Sequence, residues 1–89
     1  MPQVTTTIIN KLGLHARAAA KFVGVTGGYG ARVRIRAGER SADGKSIMGV
    51  MMLAARQGTQ IEIEAEGDDA DQLLASLLQL IEQRFGEEE

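Results

Sequence analysis

His15 is the chain's single histidine, and it stands in Gly13-Leu14-His15-Ala16-Arg17, two residues ahead of an arginine. An exposed imidazole, with an ordinary pKa of about 6.5, is largely neutral near pH 7 and can act as a nucleophile without a dedicated base. The alanine-rich stretch from Ala16 to Thr26 places Ala19, Phe22, Val23 and Thr26 at helical spacing, so His15 falls at a helix N-cap. A ring there would stand over the free N–H groups of the first turn, those of Ala16 and Arg17, which together with the helix dipole bind phosphate. Arg17 also offers a planar, permanently charged fork suited to phosphate oxygens. Nucleophile, anion cradle and counter-charge then occupy three consecutive residues. His-x-Arg is a short pattern, and by itself it reads first as a mediocre cap beside a solvated arginine.

Other chemistries are closed off by residue type. The absence of cysteine removes disulfides, thiolate zinc sites and thiol catalysis, and one histidine cannot build a multi-histidine metal site. No metal and no cofactor are expected. No second general acid or base stands at a recognisable spacing, so an enzyme with its own substrate pocket is not expected either. Arg32, Arg34 and Arg36 could track the phosphates of a nucleic acid, but Glu62, Glu64 and Glu66 share their period. If the two strands are neighbours, the six residues form a ladder of opposite charges on a water-facing side, worth up to about 1 kcal/mol per pair. The aromatic content of 3% favours the ladder over nucleic acid, which is not an expected partner.

Ser46 precedes the apolar run Ile47-Met48-Gly49-Val50-Met51-Met52-Leu53 and reads as an N-cap of one or two helical turns. The run exceeds what one buried face of a short helix can hide. Val50 and Leu53 are assigned to the core; Ile47, Met48 and Met51 are assigned to a partly exposed docking patch near His15, joined by Ala16 and Ala20.

The elements that must position these residues follow from periodicity. Gln3 to Ile9 is β-branched and alternating, with Val4, Thr6 and Ile8 on one side, and Asn10 to Gly13 breaks it. Gly27-Gly28 closes the first helix; Arg32 to Arg36 is a strand turning through Ala37-Gly38-Glu39-Arg40 into a return strand, Arg40 to Asp43. Ile61 to Glu66 is a further strand. Asp69 and Gln72 have capping-box spacing ahead of a helix whose stripe is Ala70, Leu73, Leu74, Leu77, Leu78, Ile81 and Phe85, and Gly86 to Glu89 reads as a solvated tail. The order βαββαβα predicts an α+β fold, an antiparallel sheet with helices on one face.

With 89 residues, 44% of them apolar, residues 1–89 are expected to form one domain. Residues 1–60 hold three Lys, six Arg and two acids, a net +7, whereas residues 61–89 hold ten acids and one Arg, a net −9; the two halves must meet electrostatically. Neither a signal-type apolar run nor a membrane span is visible, so a cytoplasmic location without membrane insertion is expected.

Gly13-Leu14-His15-Ala16-Arg17 with Ala19-Ala20-Lys21-Phe22-Val23 resembles the active-site segment of the histidine-containing phosphocarrier (HPr) family of the bacterial sugar phosphotransferase system. Lys45-Ser46-Ile47-Met48-Gly49-Val50-Met51 resembles that family's regulatory-serine segment, and Gln57-Gly58-Thr59 followed by Ala65-Glu66-Gly67 resembles its last strand. The likeness extends over essentially the whole chain. It implies an open-faced β-sandwich of four antiparallel strands and three helices. It also implies that His15 accepts a phosphoryl group on Nδ1 from phosphorylated Enzyme I and passes it to EIIA-type domains, the chain acting as a stoichiometric, monomeric carrier. Ser46 would be a substrate of an HPr kinase/phosphorylase. Ala18 stands where the family usually has proline; at the third helical position no intrahelical acceptor is lost or needed, so the helix is expected to survive. The alternatives are a carrier of a regulatory, nitrogen-type branch and a non-phosphorylated interaction module of the same fold.

Overall fold

Strict alternation from Arg32 to Arg36 and from Ile61 to Glu66 gives each segment one apolar and one charged side, a pattern that only a half-buried strand satisfies. The computed structural model, which describes residues 2–89, pairs the two. Its strands are β1 (Gln3–Thr7), β2 (Arg32–Ala37), β3 (Arg40–Asp43) and β4 (Gln60–Glu66), in the spatial order β1-β4-β2-β3 and antiparallel throughout. Its helices are α1 (Ala16–Thr26), α2 (Ile47–Met52) and α3 (Ala70–Glu82), followed by a 3-10 turn at Arg84–Gly86.

The register sets Arg32 opposite Glu66, Arg34 opposite Glu64 and Arg36 opposite Glu62. The charge ladder read from the sequence is therefore present, with Arg36 and Glu62 in direct ion-pair contact. Pleating turns Val33, Ile35, Ile61, Ile63 and Ala65 to the other face, where they are buried. There α1 and α3 pack on each other, α3 lies on β4 and β1, and α2 bridges α1 and β3. Phe22, Leu73, Leu77, Ile81 and Phe85 complete the core, all essentially without solvent contact. This is the open-faced α+β sandwich that the element order and the family resemblance imply.

Three local expectations need correction. The ladder of β1 stops at Thr7 instead of Ile9, because Ile8 already bonds the turn that opens β4, donating to the Thr59 carbonyl at 2.9 Å and accepting from Gly58 N at 2.7 Å. Asp69 sits at the N-cap of α3 but its carboxylate does not cap the helix. It accepts instead from Gly30 N and Ala31 N, both at 2.9 Å, because Gly67 brings the two segments together: a Cβ at Gly67 would lie 2.7 Å from Ala31 Cα. Of the residues read as a solvated tail, Gly86, Glu88 and Glu89 are exposed, but Glu87 is turned inward. Arg84, Phe85 and Gly86 all have positive φ, and this reversal buries Phe85 and folds the chain end back toward α1.

Candidate functional site

The loop before α1 is held from several sides. Gly13 takes φ +67 and packs so closely that a Cβ would fall on the Ala55 carbonyl oxygen, so only glycine fits. Buried Leu14 donates its N–H to that same carbonyl at 2.9 Å. Asn10, fully buried, accepts from Gly13 N at 3.2 Å through its own carbonyl and donates from Nδ2 to Gly13 O at 2.8 Å. The chain thus enters α1 from a fixed direction.

His15 is the N-cap of α1, with extended φ −73 and ψ 177, yet its side chain makes no capping bond. The first intrahelical donor is Ala19 N, 2.8 Å from the His15 carbonyl. The N–H groups of Ala16, Arg17 and Ala18 precede it and have no helix carbonyl to bond. The ring, 28% exposed, turns to the chain end, where Nε2 lies 2.5 Å from Glu87 Oε2. The other oxygen of that carboxylate accepts from Asn10 Nδ2 at 3.1 Å. Hydrogen bonding to His15, then to Asn10, holds the Glu87 carboxyl below its ordinary pKa against the opposing effect of burial. Lys21 Nζ donates to the Phe85 carbonyl at 2.5 Å and Lys11 N to the Glu89 carbonyl at 2.8 Å, fastening both sides of Glu87.

Arg17 is exposed on the first turn of α1, and Ala16 and Ala20 are exposed beside it, whereas Ala18 and Ala19 are fully buried. Ala18 as the third residue of the helix leaves α1 regular. On α2, Ile47, Met48 and Met51 are exposed and Val50 and Leu53 buried, as the sequence reading divides them; Met52 is a further exposed apolar side chain at 68%. The segment leaving α2 carries Ala55, the acceptor for Leu14, so this end of the Met-rich helix lies against the His15 loop. Ser46 caps the far end, its Oγ accepting from Gly49 N at 3.0 Å, about 9 Å away along a six-residue helix at 1.5 Å per residue.

Glu87 and Asn10 are the residues at this site that sequence reasoning missed. Glu87 reads as one of three terminal glutamates and Asn10 as a strand breaker. The usable signal is Phe85, a large apolar residue past the end of the helical stripe whose burial must draw its neighbours inward. Among the described residues, no group of three His, Cys, Asp or Glu side chains could hold a metal, and no helix is long and apolar enough to cross a membrane.

Residues 2–83 match the family described as "PTS HPr component phosphorylation site". The chain is 58% identical to the phosphocarrier protein HPr of Pseudomonas aeruginosa and 52% identical to that of Pseudomonas putida, over the full length of both partners in each case. Its fold superposes on the crystal structure of HPr from Thermoanaerobacter tengcongensis with a TM-score of 0.95, at 42% identity and with complete coverage of both chains. Sequence, fold and likeness agree along the entire chain, which belongs to the HPr family of phosphocarriers of the phosphotransferase system.

Proposed function

We propose that the chain carries a phosphoryl group on Nδ1 of His15, taking it from phosphorylated Enzyme I and giving it to an EIIA-type domain. The Nδ1 lone pair forms the new bond to phosphorus while the donor–phosphorus bond breaks, its electron pair staying on the donor; transfer to the acceptor repeats the exchange with His15 as leaving group. The observation that carries this reading is an N-cap histidine whose ring is not spent on capping, in a residue that directly precedes the open N–H groups of Ala16 and Arg17. The Arg17 guanidinium supplies charge to the equatorial oxygens in the transition state. The chain is a stoichiometric carrier, not an enzyme with a substrate of its own.

Both partners would dock on the same surface in turn, Ala16 and Ala20 of α1 with Ile47, Met48 and Met51 of α2. A small apolar patch built of flexible methionines suits partners that must bind and then leave. Ser46 is read as a site for an HPr kinase/phosphorylase, since a phosphate there would add about −1.5 to −2 charges at the edge of that patch.

The test is incubation with phosphoenolpyruvate and Enzyme I, followed by mass measurement. One acid-labile phosphate is expected on the parent and none on His15→Ala, which should keep its circular dichroism spectrum because the ring contributes no cap. A parent chain that gains no phosphate would leave the interaction-module alternative standing.

A further inference from the structure

A carboxylate beside the nucleophile repels an incoming phosphoryl group, yet the fold goes to some length to put one there. Arg84 and Phe85 adopt φ of 54 and 55, a left-handed conformation that side chains rarely take, and Gly86 follows at 79. The result of this turn is that Glu87 meets His15. Buried Asn10 then grips the second carboxylate oxygen, and Lys21 grips the Phe85 carbonyl.

We propose that Glu87 is a positioning residue for phosphoryl transfer, accepting the Nε2–H of His15 and thereby fixing the tautomer and rotation of the ring so that Nδ1 presents its lone pair. The inference rests on the reading of His15 as phosphoryl acceptor. An ionised carboxylate has no proton to give, so across the 2.5 Å contact the hydrogen belongs to Nε2. A neutral imidazole carries one N–H, and with it on Nε2 the other nitrogen is the nucleophile. The opposite tautomer would point a lone pair at a carboxylate oxygen. As Nδ1 bonds to phosphorus the ring gains positive charge, shared with Nε2–H, and the carboxylate opposes it, as the carboxylate of a hydrolase triad does for its histidine. The lowered pKa of Glu87 agrees with a carboxylate that stays ionised. Asn10 acts through Glu87: with one N–H on Gly13 O and the other on Oε1, it stops the carboxylate from turning away.

Ring nitrogen resonances of the unphosphorylated protein, measured by 15N NMR, and single-turnover transfer from Enzyme I together test this. The parent should show one tautomer, protonated at Nε2. Glu87→Ala should show a mixture of tautomers and transfer about tenfold more slowly with KM unchanged, the low end for partners that orient a functional histidine. Glu87→Gln keeps an acceptor oxygen without the charge, so it should restore the single tautomer and recover part of the rate. Glu87→Ala with the parent's ring spectrum and rate would overturn the proposal. So would faster transfer, which would make the carboxylate a guard against the incoming anion. A parent that accepts no phosphoryl group overturns the carrier reading instead, and the ring spectra still decide whether Glu87 holds the imidazole.

Discussion

At His15 the backbone and the side chain have separate tasks. The backbone begins α1, accepting from Ala19 N, while the ring is released from capping and bonds the far end of the chain. A serine or aspartate would cap better and do less, since its oxygen would occupy the N–H groups that an anion needs. Arg17 is exposed on the first turn, and its proposed part is to complete that anion site. Arg17→Lys keeps the charge but loses the planar fork, so phosphoryl transfer from Enzyme I should slow about tenfold with little change in thermal stability. Stopped-flow or quenched-flow transfer rates at constant Enzyme I concentration measure it; parent-like rates would show that Arg17 only solvates the site.

Among the elements, α2 carries the largest share of the proposed docking and regulation in the fewest residues. Six residues cannot form a stable helix alone, so the Ser46 cap, worth about 1 kcal/mol, and burial of Val50 and Leu53 hold it in place. Gly49 belongs to the same arrangement, because a Cβ there would lie 3.3 Å from Ser46 Oγ and 3.2 Å from Ala42 Cβ. The exposed side of the helix is then free to be apolar. Ser46→Asp retains a capping oxygen and adds a charge favourable at the N-terminus of α2, so the melting temperature should stay at or above the parent's. The same charge borders Ile47, Met48 and Met51, and the apparent KM for Enzyme I should rise about tenfold or more if that patch is desolvated on docking. Melting and transfer measured on one preparation separate the two: a normal KM removes the docking patch, and an early melt assigns Ser46 to the fold.

Over the whole molecule, the basic first two-thirds and the acidic last third meet most extensively along β2 and β4. A separate contact joins the turn after α1 to the start of α3, where the Asp69 carboxylate accepts from two backbone N–H groups. The bond from Gly30 N is the largest cause of its lowered pKa; burial opposes it, and Ala31 N and the charge of Lys45 add to the lowering. A carboxylate with a depressed folded-state pKa stabilises above its ordinary value of 3.8 and loses that contribution as pH falls through the folded value. Asp69→Asn, which can accept at only one atom, should therefore melt earlier than the parent at pH 7, with the gap closing as pH drops below 3.8. Thermal melts across that range check this. A gap that persists in strong acid would assign the effect to packing.

What the sequence determined by itself is whatever a period or a local motif can encode. Alternation specified β2 and β4 and which side of each is wet; the heptad-like stripe from Ala70 to Ile81 specified α3; Ser46 ahead of an apolar run specified a capped helix with Val50 and Leu53 inward. His15 at the head of α1 was legible for the same reason, since the helix and its start are local. Asp69 was misread because a capping box is also a local rule, and two N–H groups 38 and 39 residues away offered its carboxylate a better set of donors. Glu87 was invisible because its partner is 72 residues away and its own neighbourhood, three glutamates after a glycine, has the composition of a solvated end. Only burial of Phe85, with the left-handed turn that burial sustains, brings that carboxylate to the imidazole, and burial is a property of the assembled core.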